Sequence, residues 1–215
     1  MKYKNYYNLL KQEKIIIQGH FKLNAGNHAN TYIQKDNILH EYNTRYKTTK
    51  ILSKLCKMII YEHLVSSHDI TENDFVITGP AIAGTMFALP VANKLEMQFV
   101  YCEKQVENYK TIMHFRPSHA NFIKNKKVII IEDIITTGTN VVKTIDAILE
   151  CKAEPFAVIC IWNRKNWEFK SENYNNSKNQ LPIKRFESII NKNVNDYTPK
   201  ECIQCKNNIQ LDVLK

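Results

Sequence analysis

The 215-residue chain is short of glycine and proline, with 5 and 6 respectively, and neither clusters into a stretch that would act as a linker. That excludes a string of loosely tethered domains, and no internal repeat is visible. No apolar run approaches the roughly 18 residues of a membrane span. No apolar segment of secretory type follows the first residues, MKYKNYYNLLKQEK, so the 6 cysteines read as thiols of a reducing, cytoplasmic compartment and not as a disulfide framework. Arginine is scarce. Nearly all of the 30 basic residues are lysines, scattered beside many asparagines, with neither a basic block nor an arginine-rich arm. The net charge of +9 permits nucleic acid or an anionic small molecule as partner, but this scatter fits a solvated surface better and makes nucleic acid the weaker reading.

What is present is enough for one domain with a full core and a small appended subdomain, since 44% of the residues are hydrophobic. Residues 2–17 read as an amphipathic helix, and HFKLN and NTYIQ as two short strands around the turn AGNHA, forming a hood or an edge. A long periodic run starts near Thr44, a possible N-cap. FVITG, QFVYC, VIII and FAVICIW then read as strands that alternate with helical stretches ending near Leu95 and Glu150. That alternation implies an α/β fold with a parallel sheet, right-handed crossovers and helices on both faces. The polar stretch KSENYNNSKNQ, residues 170–180, reads as a surface loop.

The stretch VIIIEDIITTGTN, residues 128–140, carries the strongest chemical signal. Four apolar residues without alternation fit a strand covered on both faces. The charges that follow, Glu132 and Asp133, belong at the carboxyl edge of the sheet, where open α/β folds keep their ligand crevice. Thr136, Thr137, Gly138, Thr139 and Asn140 then offer hydroxyls and backbone N–H groups just before a helical run, as an anion cradle requires. Carboxylates beside a bound phosphate must face something other than the phosphate: hydroxyls, a metal ion, or both. A phosphorylated sugar meets that description. Arg164, two residues beyond AVICIW, stands at the same sheet edge. The segment 103–126 is too long for a plain connection. It reads as a hairpin around TIMHF whose Lys104, Lys110, His114, Arg116 and His119 either cover a polyanion or merely solvate a mobile loop.

EDIITTGT after an apolar strand resembles the phosphoribosyl-pyrophosphate motif of type I phosphoribosyltransferases. Within that family GHFKLNAGNHANTYI, GPAIAGTMFALPVA, FVYCEK, ICIWNRK and YTPKECIQCK are similar to the hood, pyrophosphate loop, lid strand, base-side strand and tail of the orotate phosphoribosyltransferases, in their bacterial and archaeal branch. The resemblance implies a core over residues 43–169, an N-terminal helix and hood over 1–42, and an extension over 170–215 that completes the hood. It implies transfer of 5-phosphoribosyl from phosphoribosyl pyrophosphate to orotate with Mg²⁺, in a homodimer. Glu132 and Asp133 would hold the ribose hydroxyls directly or through Mg²⁺, with Lys104 as the lid cation. Gly79, Pro80 and Ala81 would hold pyrophosphate, Thr136, Thr137, Gly138 and Thr139 the 5′-phosphate, and Tyr32 and Arg164 the substrate, Arg164 through the orotate carboxylate. Three cations of the resembled enzymes are replaced here by Asn24, Ala83 and Glu103. Either Mg²⁺ and the other lid residues supply that charge, or activity is low, or the base is not orotate. Another base, a regulator that senses phosphoribosyl pyrophosphate, and an inactive subunit stay open as alternatives.

Cys202 and Cys205 have C-x-x-C spacing, yet no second pair of that spacing exists. A structural tail turn is the favoured reading, with zinc shared across a dimer or with His63 or His68 as the alternative. His20 and His28 read as hydrogen-bonded structural residues.

Overall fold

The computed structural model describes residues 3–23, 26–67, 70–167 and 183–212. The expected surface loop at 170–180, Asn24 and His68 lie outside the described residues. The chain opens with helix α1 (Lys4–Gln12), shorter than expected. It stops because Lys14 takes a left-handed backbone (φ 52°) and the β-branched isoleucines from Ile15 suit a strand better than a helix. Strand β1 (Ile16–Lys22) pairs antiparallel with β2 (His28–Ile33). The short helix α2 (Asp36–His40) leads to the long α3 (Tyr42–Ser66). Glu41, not Thr44, occupies the N-cap; Thr44 lies inside the helix, fully buried, and its carbonyl accepts from the Thr48 hydroxyl at 2.7 Å.

Next come β3 (Phe75–Thr78), α4 (Ala83–Leu95) and β4 (Gln98–Phe99). Strand β4 is shorter than QFVYC because Val100 and Cys102 turn into the core as the chain leaves the sheet. The hairpin of β5 (Glu103–Glu107) and β6 (Lys110–His114) follows. Its two turn residues, Asn108 and Tyr109, both have positive φ (47° and 61°), as a tight two-residue hairpin turn requires. The remaining elements are α5 (Pro117–Ile123), β7 (Lys127–Ile135), α6 (Thr139–Glu150), β8 (Glu154–Asn163), β9 (Arg185–Asn191), β10 (Asp196–Tyr197) and α7 (Ile203–Lys206).

Five strands form one parallel sheet in the order β4-β3-β7-β8-β9. Successive side chains of its central strands point into different layers. Phe75, Ile77, Ile129, Ile131, Ala157, Ile159 and Ile161 join the side packed by α1, α3 and α4. Val76, Val128, Ile130, Val158 and Cys160 join the side packed by α5, α6 and the hairpin. Both faces are dry, which explains the unbroken apolar runs. Val128, Ile129, Ile130 and Ile131 are each fully buried, and each such side chain contributes about 1.5–3 kcal/mol relative to exposure. Residues 185–191, placed by the sequence in the C-terminal extension, add the fifth strand of this sheet. From the same extension β10 pairs with β2, so the hood is a three-stranded sheet drawn from both ends of the chain, in the order β1-β2-β10.

Candidate active site

Three strands deliver the candidate residues to the carboxyl edge of the parallel sheet. Strand β7 does not stop at its charges but pairs with β8 as far as Ile135 and Asn163. Glu132 and Asp133 are therefore held inside a regular strand, only 5% and 4% exposed. The Glu132 Oε1 accepts the Asp133 backbone N–H at 2.9 Å, and Asp133 Oδ1 accepts the Ile134 N–H at 2.5 Å. The other Asp133 oxygen, Oδ2, lies 2.7 Å from Nζ of Lys35, which follows the hood strand β2. Burial works against the Lys35 charge, yet the Asp133 carboxylate, helped by Glu132 and Asp36, raises its pKa above the ordinary lysine value. A cation at 2.7 Å from a buried carboxylate pair shows what these oxygens seek. Their hard-oxygen character fits Mg²⁺ equally well.

Burial, and then the adjacent Asp133 carboxylate, hold the Glu132 carboxyl well above the usual range. The folded state thus resists ionising this group more than the unfolded chain does. Its contribution to stability is fully present below the unfolded-chain pKa and is lost as pH rises through the folded one. Glu132→Gln, which keeps the shape and removes the charge, is expected to raise the melting temperature of the ligand-free protein at neutral and alkaline pH, with the two proteins converging in acid. Thermal melts across the pH range check this; parallel curves for parent and variant would refute it.

Beyond Ile135 the chain forms the cradle. A cavity of about 220 Å³ is lined by Glu132, Thr136, Thr137, Gly138, Thr139 and Asn140, among others. The hydroxyls of Thr137 and Thr139 are 2.9 Å apart. Gly138 is the residue before α6, with no side-chain cap and no acidic residue in the first turn, so the first N–H groups of that helix are left to a ligand. Gly138 has φ 74°, and a Cβ there would lie 2.4 Å from the Trp167 ring. No other residue fits both the turn and its buttress. Trp167 is itself fixed by Asn163, which exchanges two 2.8 Å hydrogen bonds with its backbone.

From β3, the turn at Gly79, Pro80 and Ala81 packs on the same edge. A Cβ on Gly79 would meet the Gly84 carbonyl carbon at 2.3 Å, and one on Gly84 would sit 3.2 Å from Glu132 Oε1, so the two glycines let the loop close on itself beside the carboxylate. The Thr85 hydroxyl and the Cys102 thiol both donate to the Gly79 carbonyl, at 2.8 and 3.3 Å. From β8, Arg164 donates its backbone N–H to the Ile135 carbonyl at 2.8 Å, which sets it directly beside the cradle strand. Its guanidinium is half-buried, and among the described residues Nε and Nη2 have no acceptor. Burial lowers its pKa, an effect that Asp196 partly offsets. A guanidinium remains charged after such a shift.

Residues 43–198 match the family profile of the phosphoribosyl transferase domain. The chain belongs to the phosphoribosyltransferase family. Over 157 residues, 73% of either chain, it is 31% identical to the orotate phosphoribosyltransferase of Bartonella bacilliformis. Its fold is similar to the crystal structure of orotate phosphoribosyltransferase from Aeropyrum pernix, with a TM-score of 0.62 at 19% identity, covering 86% of this chain and 92% of that one. It is also similar to adenine phosphoribosyltransferase from Trypanosoma brucei, with a TM-score of 0.57 at 15% identity over 84% and 78% of the two chains. Those two likenesses establish the fold and leave the base open.

In this phosphoribosyltransferase the residues expected at the sheet edge converge, and the others do not. Glu132, Thr136, Thr137, Gly138 and Thr139 share one cavity, with Asp133 adjoining and Arg164 on the neighbouring strand. Lys104 sits exposed on β5 opposite Met113 and makes no ion pair among the described residues. Beside it Arg116 is spent on Glu103, through hydrogen bonds of 3.0 and 2.7 Å. Tyr32 packs on Phe21 within the hood, ring centres 5.6 Å apart. Sequence reasoning missed Lys35, Gly84 and Trp167. Gly84 lies within the segment GPAIAGTMFALPVA, but no local pattern shows that a lysine ending a hood strand reaches Asp133, or that a tryptophan beyond β8 covers Gly138.

Proposed function

We propose that the chain transfers the 5-phosphoribosyl group of phosphoribosyl pyrophosphate to a ring nitrogen of orotate, giving orotidine 5′-monophosphate and pyrophosphate. The observation that carries the choice of base is the half-buried Arg164 guanidinium, with two N–H-bearing nitrogens unmatched among the described residues, beside the cradle strand. A planar cation with two nitrogens already out of water meets a carboxylate with two parallel hydrogen bonds, and orotate carries a carboxylate where uracil has none. In this reading the nitrogen forms a bond to the anomeric carbon as the bond from that carbon to pyrophosphate breaks, and the N–H proton passes to the departing pyrophosphate or to water. Thr136, Thr137, Thr139 and the first N–H groups of α6 hold the 5′-phosphate, and the turn at Gly79, Pro80 and Ala81 holds the pyrophosphate. Glu132 and Asp133 orient the ribose through its hydroxyls, fixing the sugar for in-line displacement. Mg²⁺, when bound, supplies positive charge to the leaving pyrophosphate. Lys35, freed from Asp133 as the ribose enters, is a cation for the site that offsets part of the charge missing at positions 24, 83 and 103. Lys104 acts by lid closure, its exposed position on β5 leaving it free to move onto a bound polyanion; that the lid serves the partner's site in a homodimer rests on the family resemblance alone.

The test is a base panel. With phosphoribosyl pyrophosphate and Mg²⁺, orotate is expected to yield nucleotide and pyrophosphate in equal amounts, while adenine and uracil yield at least about 10-fold less, as loss of one charged hydrogen-bonded pair implies. In thermal shift, phosphoribosyl pyrophosphate at 100 times its dissociation constant should stabilise by about 2.7 kcal/mol. Turnover of adenine in place of orotate would keep the reaction class and remove the base assignment. No turnover and no stabilisation would remove the enzyme reading.

A further inference from the structure

We infer that the hood carries a tetrahedral zinc site made by His20, His28, Cys202 and Cys205. The four ligand atoms come from three separate elements: His20 on β1, His28 on β2, and the two cysteines at the start of α7 and within it. All four atoms lie within 4.8 Å of one another. His20 Nε2 is 3.0 Å from His28 Nδ1, 3.4 Å from Cys202 Sγ and 3.5 Å from Cys205 Sγ, and Cys205 Sγ is 3.1 Å from His28 Nδ1. Zinc with Zn–N near 2.0–2.1 Å and Zn–S near 2.3 Å has tetrahedral edges of about 3.3 Å between nitrogens and about 3.6 Å between nitrogen and sulfur. These four separations match the corresponding edges to within about half an ångström, and the remaining two stay within 4.8 Å.

The chemistry of the cluster is otherwise hard to explain. The His20 ring offers Nδ1 to the Ile209 carbonyl at 2.8 Å, which fixes the proton on Nδ1 and leaves Nε2 a lone pair aimed at three other heteroatoms. A histidine orienting its ligand nitrogen through a carbonyl on the opposite side is the usual support of a zinc ligand. His20, His28 and Cys202 are 1%, 6% and 2% exposed, so these donors are not spread on a surface where water would satisfy them. Both cysteines are free thiols. Two sulfurs and two imidazoles in this arrangement select zinc over the hard cations that carboxylates take. The site is therefore distinct in ligand type from the Glu132 and Asp133 pair.

Its position defines its role. Strands β1 and β2 come from the N-terminal hood and α7 from the tail, and the tail is also tied to the hood by the Asp212 carboxylate on the His20 N–H (2.7 Å) and by Gln204 on the Gly19 carbonyl (3.1 Å). Close to His28, β10 pairs with β2, and Asp196 of that strand holds Asn27 and Lys165. A metal here closes almost the whole chain into one loop, and β2, which it fixes, leads into Lys35. It is a structural clamp that sets the hood over the sheet edge.

The test uses the full chain with no affinity tag. Purified in zinc-containing medium, it is expected to hold about one zinc per chain, and after stripping with a zinc-selective chelator to take up Co²⁺ with the visible bands and thiolate charge-transfer band of a tetrahedral sulfur and nitrogen site. Stripping in excess Mg²⁺ should lower the melting temperature, and zinc should restore it. The double variant Cys202→Ser, Cys205→Ser is expected to bind neither metal, whereas Cys205→His, which keeps a zinc ligand, retains Co²⁺ without part of the thiolate band. Should the double variant fail to fold, the Co²⁺ titration of the parent protein decides alone. Zinc below about a tenth of an equivalent with no Co²⁺ spectrum would overturn the proposal. So would a Cys202–Cys205 disulfide in protein prepared under reducing conditions, or undiminished metal in a folded double variant.

Discussion

Asp133→Asn is expected to lower turnover by roughly 10-fold to 150-fold, the rate equivalent of the about 1.5–3 kcal/mol that a hydrogen bond to a charged group carries. The amide oxygen of Asn can still accept the Ile134 N–H that Asp133 Oδ1 accepts at 2.5 Å, so the strand geometry survives. What goes is the negative charge that now faces Lys35. Lys35 is 45% exposed and finds water when its partner is neutral, so little stability is lost with the ion pair. In the proposed reaction the ribose hydroxyls, or a Mg²⁺ beside them, would lose the charge that Asp133 supplies, with no water to replace it once the site closes. Steady-state kinetics at saturating phosphoribosyl pyrophosphate, with a thermal melt to confirm the fold, measure the effect. Near-parental turnover would remove Asp133 from the reaction.

Arg164→Ala is expected to weaken orotate by roughly 10-fold to 150-fold while leaving phosphoribosyl pyrophosphate nearly untouched, again the equivalent of about 1.5–3 kcal/mol. The backbone of Arg164 is held from both sides, its N–H by Ile135 and its carbonyl by Val194 (2.9 Å), so truncating the side chain does not move the strand end. Burial already strains the guanidinium charge, as its lowered pKa records, and Nε and Nη2 find no acceptor among the described residues. Removing it relieves that desolvation, so the melting temperature of the free protein should stay level or rise. A loss of orotate affinity without a loss of stability is the signature of a residue kept for its ligand. Arg164→Lys should recover little, since an ammonium cannot form the paired, planar contact. Equal loss for both substrates would place Arg164 outside the base site and favour a base without a carboxylate.

Several parts of this protein were legible in the one-dimensional chain because their cause is local. The β-branched run Val128–Ile131 can only be a doubly covered strand, and it is fully buried on both faces. The Thr-Thr-Gly-Thr turn before a helical period lines the cradle cavity together with Glu132 and Asn140, with Gly138 at the positive φ that the turn needs. The length of segment 103–126 showed that it is more than a plain connection, and the hairpin suggested there is present, turning at Asn108 and Tyr109.

Where the deciding contact is distant in sequence, the chain by itself gave the wrong partner or none. Cys202 and Cys205 pointed to a tail turn, or to zinc shared across a dimer or with His63 or His68; His63 instead packs on Phe75 and Phe156, and the two histidines that meet the cysteines sit on β1 and β2. The pairing of β10 with β2 brings them together, and no spacing rule spans that separation. Lys35 reaches Asp133 only because the hood folds back over the sheet edge. Residues 185–191 join the sheet beside β8, and although Phe186, Ile189 and Ile190 are apolar, nothing local says which strand they pair with. Periodicity and turn chemistry are properties of a few neighbouring residues, so the sequence determined four strands of the sheet, the cradle turn and the carboxylate pair, but not the fifth strand. Charge pairing and metal-ligand convergence depend on which strand lies beside which, and only the tertiary structure decided those.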